Sequence, residues 1–193
     1  MSIGQAVSAA QSATPDAFAS RDINEFFNPR ESTLSLEERY QLCLSVGEEV
    51  LVEEELKTLL QNKDVFRCYD GFEPSGRMHI AQGIMKSINV NKITSAGGIF
   101  IFWVADWFAL LNNKMGGDLN KIRVVGRYFV EVWKAAGMNL ENVQFLWASE
   151  EINKRPDEYW SIVIDIARKF GIKRIKKCGQ IMGRGEGDEQ PTS

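Results

Sequence analysis

The stretch CYDGFEPSGRMHIAQG, Cys68 to Gly83, gathers groups that can hold phosphate and carries the chain's only histidine. Gly71, Pro74, Ser75 and Gly76 form a turn in which the main chain can approach a ligand closely, because glycine has no Cβ and tolerates positive φ. The Ser75 hydroxyl can donate to a phosphate oxygen. His79 can place an imidazole proton where negative charge grows as a P–O bond rearranges. A lone histidine is as easily a surface residue, and the residue types alone leave both readings open.

The flanking pattern says what must position this turn. Phe66, Cys68, Tyr69 and Phe72 read as a strand, and from Ile80 apolar residues recur at helical spacing through Ile84, Ile88 and Ile93. The spacing predicts a strand, a tight turn and a helix from about Met78 to Ser95, ended by Gly97 and Gly98. Amides at such a helix N-terminus point outward unpaired, and α/β proteins bind nucleotide phosphates there. A second strand, Ile99 to Val104, is apolar on both faces, as a parallel strand covered by helices should be. Asp118 is the expected N-cap of a long helix closing near Gly137, VQFLWAS is a third strand, and Pro156 opens another helix. Ahead of all this, Ser35 and Glu38 form a capping box for a first helix, and EEVLVEEELKTLLQN marks a second. Strands alternating with helices predict an α/β fold with a parallel sheet.

Composition narrows the classes. The 193 residues, 44% hydrophobic and 25% charged, suit one globular domain with a real core. A net charge of −3 argues against nucleic-acid binding by bulk electrostatics. Arg168, Lys169, Lys173, Arg174, Lys176 and Lys177 still form a basic cluster, read as a solvated face or as an RNA or subunit contact. Cys43, Cys68 and Cys178 lie far apart, so neither a disulfide framework nor a metal knuckle is expected. No apolar run has the roughly 20 residues of a membrane span. The first 33 residues read as a flexible tail without a signal peptide.

YDGFEPSGRMHIAQG resembles the N-terminal signature of class I aminoacyl-tRNA synthetases, specifically the tyrosyl-tRNA synthetases of archaeal and eukaryotic type. The resemblance continues through FWVADWFALLNNKMGGDLNKIRVVGRYFVEVWKAAGM, FLWASEEI and QIMGR, roughly residues 35 to 185. It implies the first half of a Rossmann-like (HUP-type) parallel-sheet nucleotide-binding domain preceded by short helices. The corresponding boundaries are a tail over 1–33, a helical prelude over 34–64, the catalytic half-domain over 65–155 and the start of a dimerisation insertion over 156–193.

By the same resemblance His79, Ile80, Ala81 and Gln82 stand at the family's HIGH signature, with His79 and Gln82 acting on the reacting phosphates. Ala81 lies where adenine rests on the backbone, and Gln82 replaces the last histidine, supplying an amide donor. Gly71, Glu73, Pro74, Ser75 and Gly76 surround ATP and its Mg2+ counter-ion; Tyr69 aims its hydroxyl at the phenol of L-tyrosine. Asp106 and Phe108, in ADWFA, line the amino acid pocket, although Asp106 reads equally as a helix cap. No protein-held metal is implied. NKMGGD is not the family's KMSKS motif, and its Gly116-Gly117 before Asp118 reads as a turn and cap. Trp103, Trp107, Trp133, Trp147 and Trp160 read as core or interface.

The family pattern runs on through a second half of the nucleotide fold, a KMSKS loop and an anticodon-binding domain. The chain is therefore expected to be a truncated part of a cytoplasmic tyrosine–tRNA ligase, a homodimer through its C-terminal helices that serves tRNA(Tyr), and to lack turnover by itself. The alternatives are a tryptophanyl-tRNA synthetase relative, another nucleotidylyltransferase of the superfamily, or a non-catalytic module that binds an intact synthetase subunit.

Overall fold

In the computed structural model, residues 29–181 are described. The expectations of a tail over residues 1–28 and of anything beyond residue 181, including most of QIMGR, lie outside them. Two compact units divide the chain, one ending at Glu151 and the other beginning at Ile152.

The first unit opens with α1 (Leu36–Leu44), whose capping box forms as expected: Ser35 accepts from the Glu38 amide and the Glu38 carboxylate accepts from the Ser35 amide. The Ser35 hydroxyl, which donates to the Glu38 carboxylate at 2.7 Å, and then the Ser35 amide hold that carboxyl below its usual range. α2 (Glu53–Asn62) follows, five residues later than its apolar pattern suggests. Three parallel strands come next, β1 (Phe66–Phe72), β2 (Gly98–Val104) and β3 (Val143–Trp147), lying side by side in chain order. Phe72 sits opposite Val104, and Val104 opposite Trp147, so all three strands end level.

Right-handed crossovers that advance in one direction put every connecting helix on one face of a sheet. Here that face carries α3 (Lys86–Ser95) and α5 (Leu119–Ala135). One core holds Val90 and Ile93 of α3 and Ala96 at its C-cap, Phe129 and Trp133 of α5, and Phe66, Phe100, Phe102 and Val143 of the sheet. Phe102 stacks on both Trp133, at 4.7 Å, and Phe145, at 5.0 Å between ring centroids, and those two rings lie 6.2 Å from each other. The opposite face carries a smaller cluster of Ile99, Ile101 and Leu146. Gln144 is buried there, and neither of its side-chain amide atoms has a hydrogen-bond partner.

The helix after β1 departs from its sequence pattern. Its first turn is a π-turn over Ala81–Met85, preceded by one helical residue, Ile80. Of the isoleucines at helical spacing, Ile93 is buried, whereas Ile80 is 80% exposed, Ile84 49% and Ile88 44%. The buried line is Gly83, Ser87, Val90 and Ile93. Small residues let this helix lie close to its neighbours, with Gly83 seated against Met78 and Val132.

Arg39 ties the prelude to the sheet. Its side chain is buried, and its guanidinium donates to the carbonyl oxygens of Ala96 (2.8 Å), Leu60 (3.2 Å), Lys63 (2.7 Å) and Asp64 (3.0 Å). Those carbonyls belong to the C-terminal ends of α2 and α3, where unpaired acceptors and the negative dipole end favour a cation. Gly97 is required at the same junction. Its φ is +91°, and a Cβ there would lie 2.3 Å from the Asp64 oxygen.

The second unit contains α7 (Pro156–Lys169) and α8 (Ile172–Ile181), the former opened by Pro156 as expected. α6 (Ala148–Lys154) precedes them. Trp160, Ile162, Ile164, Ile166, Phe170 and Ile172 are all exposed. No helix among the described residues is long and apolar enough to cross a membrane.

Replacing Arg39 by Met strands several buried acceptors, so stability should fall by about 3 kcal/mol on the scale of unsatisfied buried groups. Chemical denaturation measures this, and a loss within experimental error would refute the role given to Arg39. Burial pushes the Cys68 thiol up to about 12 and also raises Cys43, whereas Cys178 is exposed. One thiol should therefore react quickly with Ellman's reagent at pH 8, and all three only after unfolding. A raised thiol pKa favours the folded state below pH ~9, its ordinary value, and that advantage should be lost as pH rises toward 12.

Candidate functional site

The C-terminal ends of parallel strands are where doubly wound sheets bind ligands. At the end of β1, Glu73 to His79 turns the chain back toward its helix. Pro74 is fully buried, and Gly126 of α5 packs against it: a Cβ at Gly126 would lie 3.3 Å from the Pro74 ring and 2.7 Å from Trp147. α5 thereby presses the turn into place while Ser75 stays half-buried and Gly76 and His79 exposed. Gly76 has φ +63° with open space beside its Cα.

The loop between α4 (Asp106–Leu111) and α5 leans on this turn. Asn112 Nδ2 donates to Glu73 Oε1 at 2.6 Å, and the Gly76 amide donates to Met115 Sδ at 3.3 Å. Asn113 (φ 52°) and Met115 (φ 54°) both hold the left-handed region, which costs a non-glycine residue energy and is concentrated at ligand-binding segments. The turn-and-cap reading of NKMGGD holds: Gly116 and Gly117 have φ of 71°, and Asp118 accepts from the amides of Asn120 and Lys121. Those amides hold its carboxyl below the usual range. What the pattern did not disclose is the contact between this loop and the turn after β1.

The ends of β2 and β3 are locked together by Asp106. ADWFA opens a helix: β2 stops at Val104, Ala105 is the N-cap and Asp106 the first residue of α4. The Asp106 side chain has 0% exposure. It accepts from Ser149 Oγ (2.6 Å), Ser149 N (3.0 Å), Trp107 N (2.9 Å) and Arg123 Nε (3.4 Å). Arg123 also donates to Ser149 Oγ at 3.1 Å. The carboxylate thus bonds to protein, and neither expected task, orienting a substrate directly or filling the N-cap, describes its geometry. Arg123 and Ser149 were not foreseen.

Tyr69 is 82% exposed, so it is not a core tyrosine. It sits opposite Ile101 on the sheet face away from α3 and α5, with Gly71 two residues on. Phe108, on α4, is 37% exposed. Asp70 of β1 pairs with Lys86, the first residue of α3. Ala81 and Gln82 are exposed on the π-turn, and the Gln82 carbonyl accepts from the Trp133 indole at 3.0 Å. Trp133 and Trp147 are core as expected, while Trp160 is 52% exposed. Among the described residues no three His, Cys, Asp or Glu side chains gather to hold a metal. A polar cleft of about 220 Å³ lies instead at the N-terminal ends of the strands, where Asn142 pairs with the backbone of Arg30.

Comparison with known proteins gives concordant results. A family model described as tRNA synthetases class I (W and Y) matches residues 61–193. Over 154 residues, 80% of this chain, the sequence is 66% identical to the cytoplasmic tyrosine–tRNA ligase 1 of Arabidopsis thaliana, covering 40% of that protein. It is 39% identical over 141 residues, 73% of the chain, to the tyrosine–tRNA ligase of Picrophilus torridus, covering 41% of it. The tyrosyl-tRNA synthetase of Leishmania major in complex with tyrosinol superposes with a TM-score of 0.73 at 62% identity, covering 80% of this chain and 23% of that one. For the Pyrococcus horikoshii enzyme complexed with L-tyrosine the TM-score is 0.66 at 34% identity, covering 81% and 44%. The chain spans about 40% of the length of these two curated relatives.

Ser149→Ala removes the hydroxyl that joins Asp106 to Arg123. With a charged acceptor left short of a donor, stability should drop by about 2 kcal/mol while far-ultraviolet dichroism is unchanged. An unaltered denaturation midpoint would contradict the bracing role of this cluster.

Proposed function

The chain belongs to the class I tRNA synthetase family of the tryptophan and tyrosine enzymes, and from that premise we propose that it carries part of the site in which a tyrosine–tRNA ligase activates L-tyrosine with ATP before transfer to tRNA(Tyr). The observation that supports tyrosine over tryptophan is the 66% identity to a tyrosine ligase across the whole turn and sheet. The family model alone does not separate the two amino acids. The two plant relatives named as cytoplasmic support the same location for this chain.

In the proposed reaction a carboxylate oxygen of tyrosine bonds to the α-phosphorus of ATP as the Pα–O–Pβ bond breaks, and the electron pair leaves with pyrophosphate. No covalent enzyme intermediate is needed, so positioning and charge stabilisation carry the rate. The Gly76 amide, the Ser75 hydroxyl, His79 and the Gln82 amide donate to phosphate oxygens, beside Gly71, Pro74 and Ala81. A phosphate oxygen is a far better acceptor than a thioether, so Gly76 exchanges Met115 Sδ for the nucleotide. Glu73 faces the α-phosphate side, where Mg2+ travelling with ATP offsets its charge. Tyr69, on the open sheet face, pairs its hydroxyl with the substrate phenol. Phe108 borders the amino acid, and Asp106 contributes by holding the strand ends in register.

In the second unit the exposed apolar residues Trp160, Ile162, Ile164, Ile166, Phe170 and Ile172, spread around α7 and the start of α8, support the reading that this part pairs with a second subunit.

Calorimetric titration of the chain with L-tyrosine, using L-tryptophan as control, tests the reading. Tyrosine should bind and tryptophan should not. Tyr69→Phe should weaken tyrosine about fivefold, from the roughly 1 kcal/mol of one hydrogen bond. Preferential binding of tryptophan, or binding of neither amino acid, would overturn the assignment.

A further inference from the structure

We propose that Trp133 is a positioning residue for the reacting phosphates: its indole N–H holds open the π-turn that sets where His79 and Gln82 stand. The inference rests on the nucleotide-binding reading of those two residues, and it deepens that reading by naming what places them.

The argument begins with the helix ladder. In a continuous α-helix the Lys86 amide would bond to the Gln82 carbonyl; at the C-terminal edge of the π-turn it is directed to Gly83 O instead, a tighter i→i−3 bond. The Gln82 carbonyl is engaged from outside the helix by Trp133 Nε1 at 3.0 Å. The Gly83 carbonyl also accepts from Ser87 Oγ at 2.8 Å. Insertion of a side-chain donor into the i→i−4 ladder is a recognised cause of helix distortion, and π-turns concentrate at functional sites.

The turn matters because of the residues before it. A π-turn takes one residue more than an α-turn, so residues N-terminal to it are rotated by about 100° from where an unbroken α-helix would carry them. His79 lies just ahead of the turn, and its carbonyl accepts from the Gly83 amide at 3.0 Å. Gln82 lies within it. If the ladder closed into a regular helix, both side chains would leave the direction the strand-to-helix turn gives them.

Trp133 is well placed to impose this geometry. It is 2% exposed, stacked on Phe102 of β2 at 4.7 Å and edge-on to Phe72 of β1 at 5.1 Å. The indole is fixed by the two strands whose ends form the site, so its N–H refers the helix start to the sheet. The Asp70–Lys86 pair anchors the far side of the same turn to β1.

Trp133→Phe keeps an aromatic ring in the core and deletes the donor. The chain has one histidine, so a single imidazole resonance reports on His79 without ambiguity. In the full chain the variant should shift that resonance and weaken ATP binding about tenfold, with tyrosine affinity unchanged. An unmoved histidine signal together with unchanged ATP affinity overturns the proposal, as does a parallel loss for ATP and tyrosine, which a merely structural role would produce. If the unsubstituted chain binds no ATP, the functional reading fails, and the histidine resonance alone decides the positioning claim. If the variant does not fold, hydrogen exchange at the Trp133 indole of the unsubstituted chain, assigned through its contacts to the Phe102 ring, takes its place. Slow exchange supports the bond and fast exchange removes it.

Discussion

The structure depends on the direction in which its sheet is wound. Three parallel strands laid down in chain order, joined by crossovers of one hand, must place their helices on a single face. That constraint puts α3 and α5 together over Phe100 and Phe102 and brings the ends of all three strands level. It also leaves Tyr69 on the other face and β1 with β2 as its one strand neighbour among the described residues. Both features are what a ligand site at strand ends needs: a rigid floor and a face that a small molecule can reach.

Much of this was legible because the signals are local. The Ser35 capping box, the Asp118 cap and the Pro156 helix start are each decided within four residues, and all three form. The strand–turn–helix around Gly76 was readable for the same reason. Periodicity in the helix after β1 reports an apolar stripe without saying what lies against it, and of Ile80, Ile84, Ile88 and Ile93 the last alone is buried. The buried line opens with Gly83 and Ser87, which hydropathy scores poorly but which permit close approach, Gly83 to Met78 and to Val132 of α5.

The site was harder to read than the fold. Asp106 could be seen as important, yet its partners Arg123 and Ser149 stand 17 and 43 residues away, with no spacing rule connecting them. NKMGGD was noticed, and its cap understood, but the contact from Met115 to Gly76 spans 39 residues. Trp133 looks from its sequence context like any core aromatic. A packed ring and a polar N–H are carried by the same side chain, and only the tertiary arrangement shows that the second is used.

The guanidinium of Arg39 has an implication for modularity. From the sequence, residues 34–64 read as a helical prelude that precedes the nucleotide fold. Yet one buried cation gathers the ends of α2 and α3 and the lead-in to β1. Excision at residue 65 would cut through a shared polar centre, so the first helices and the sheet form a single cooperative folding unit.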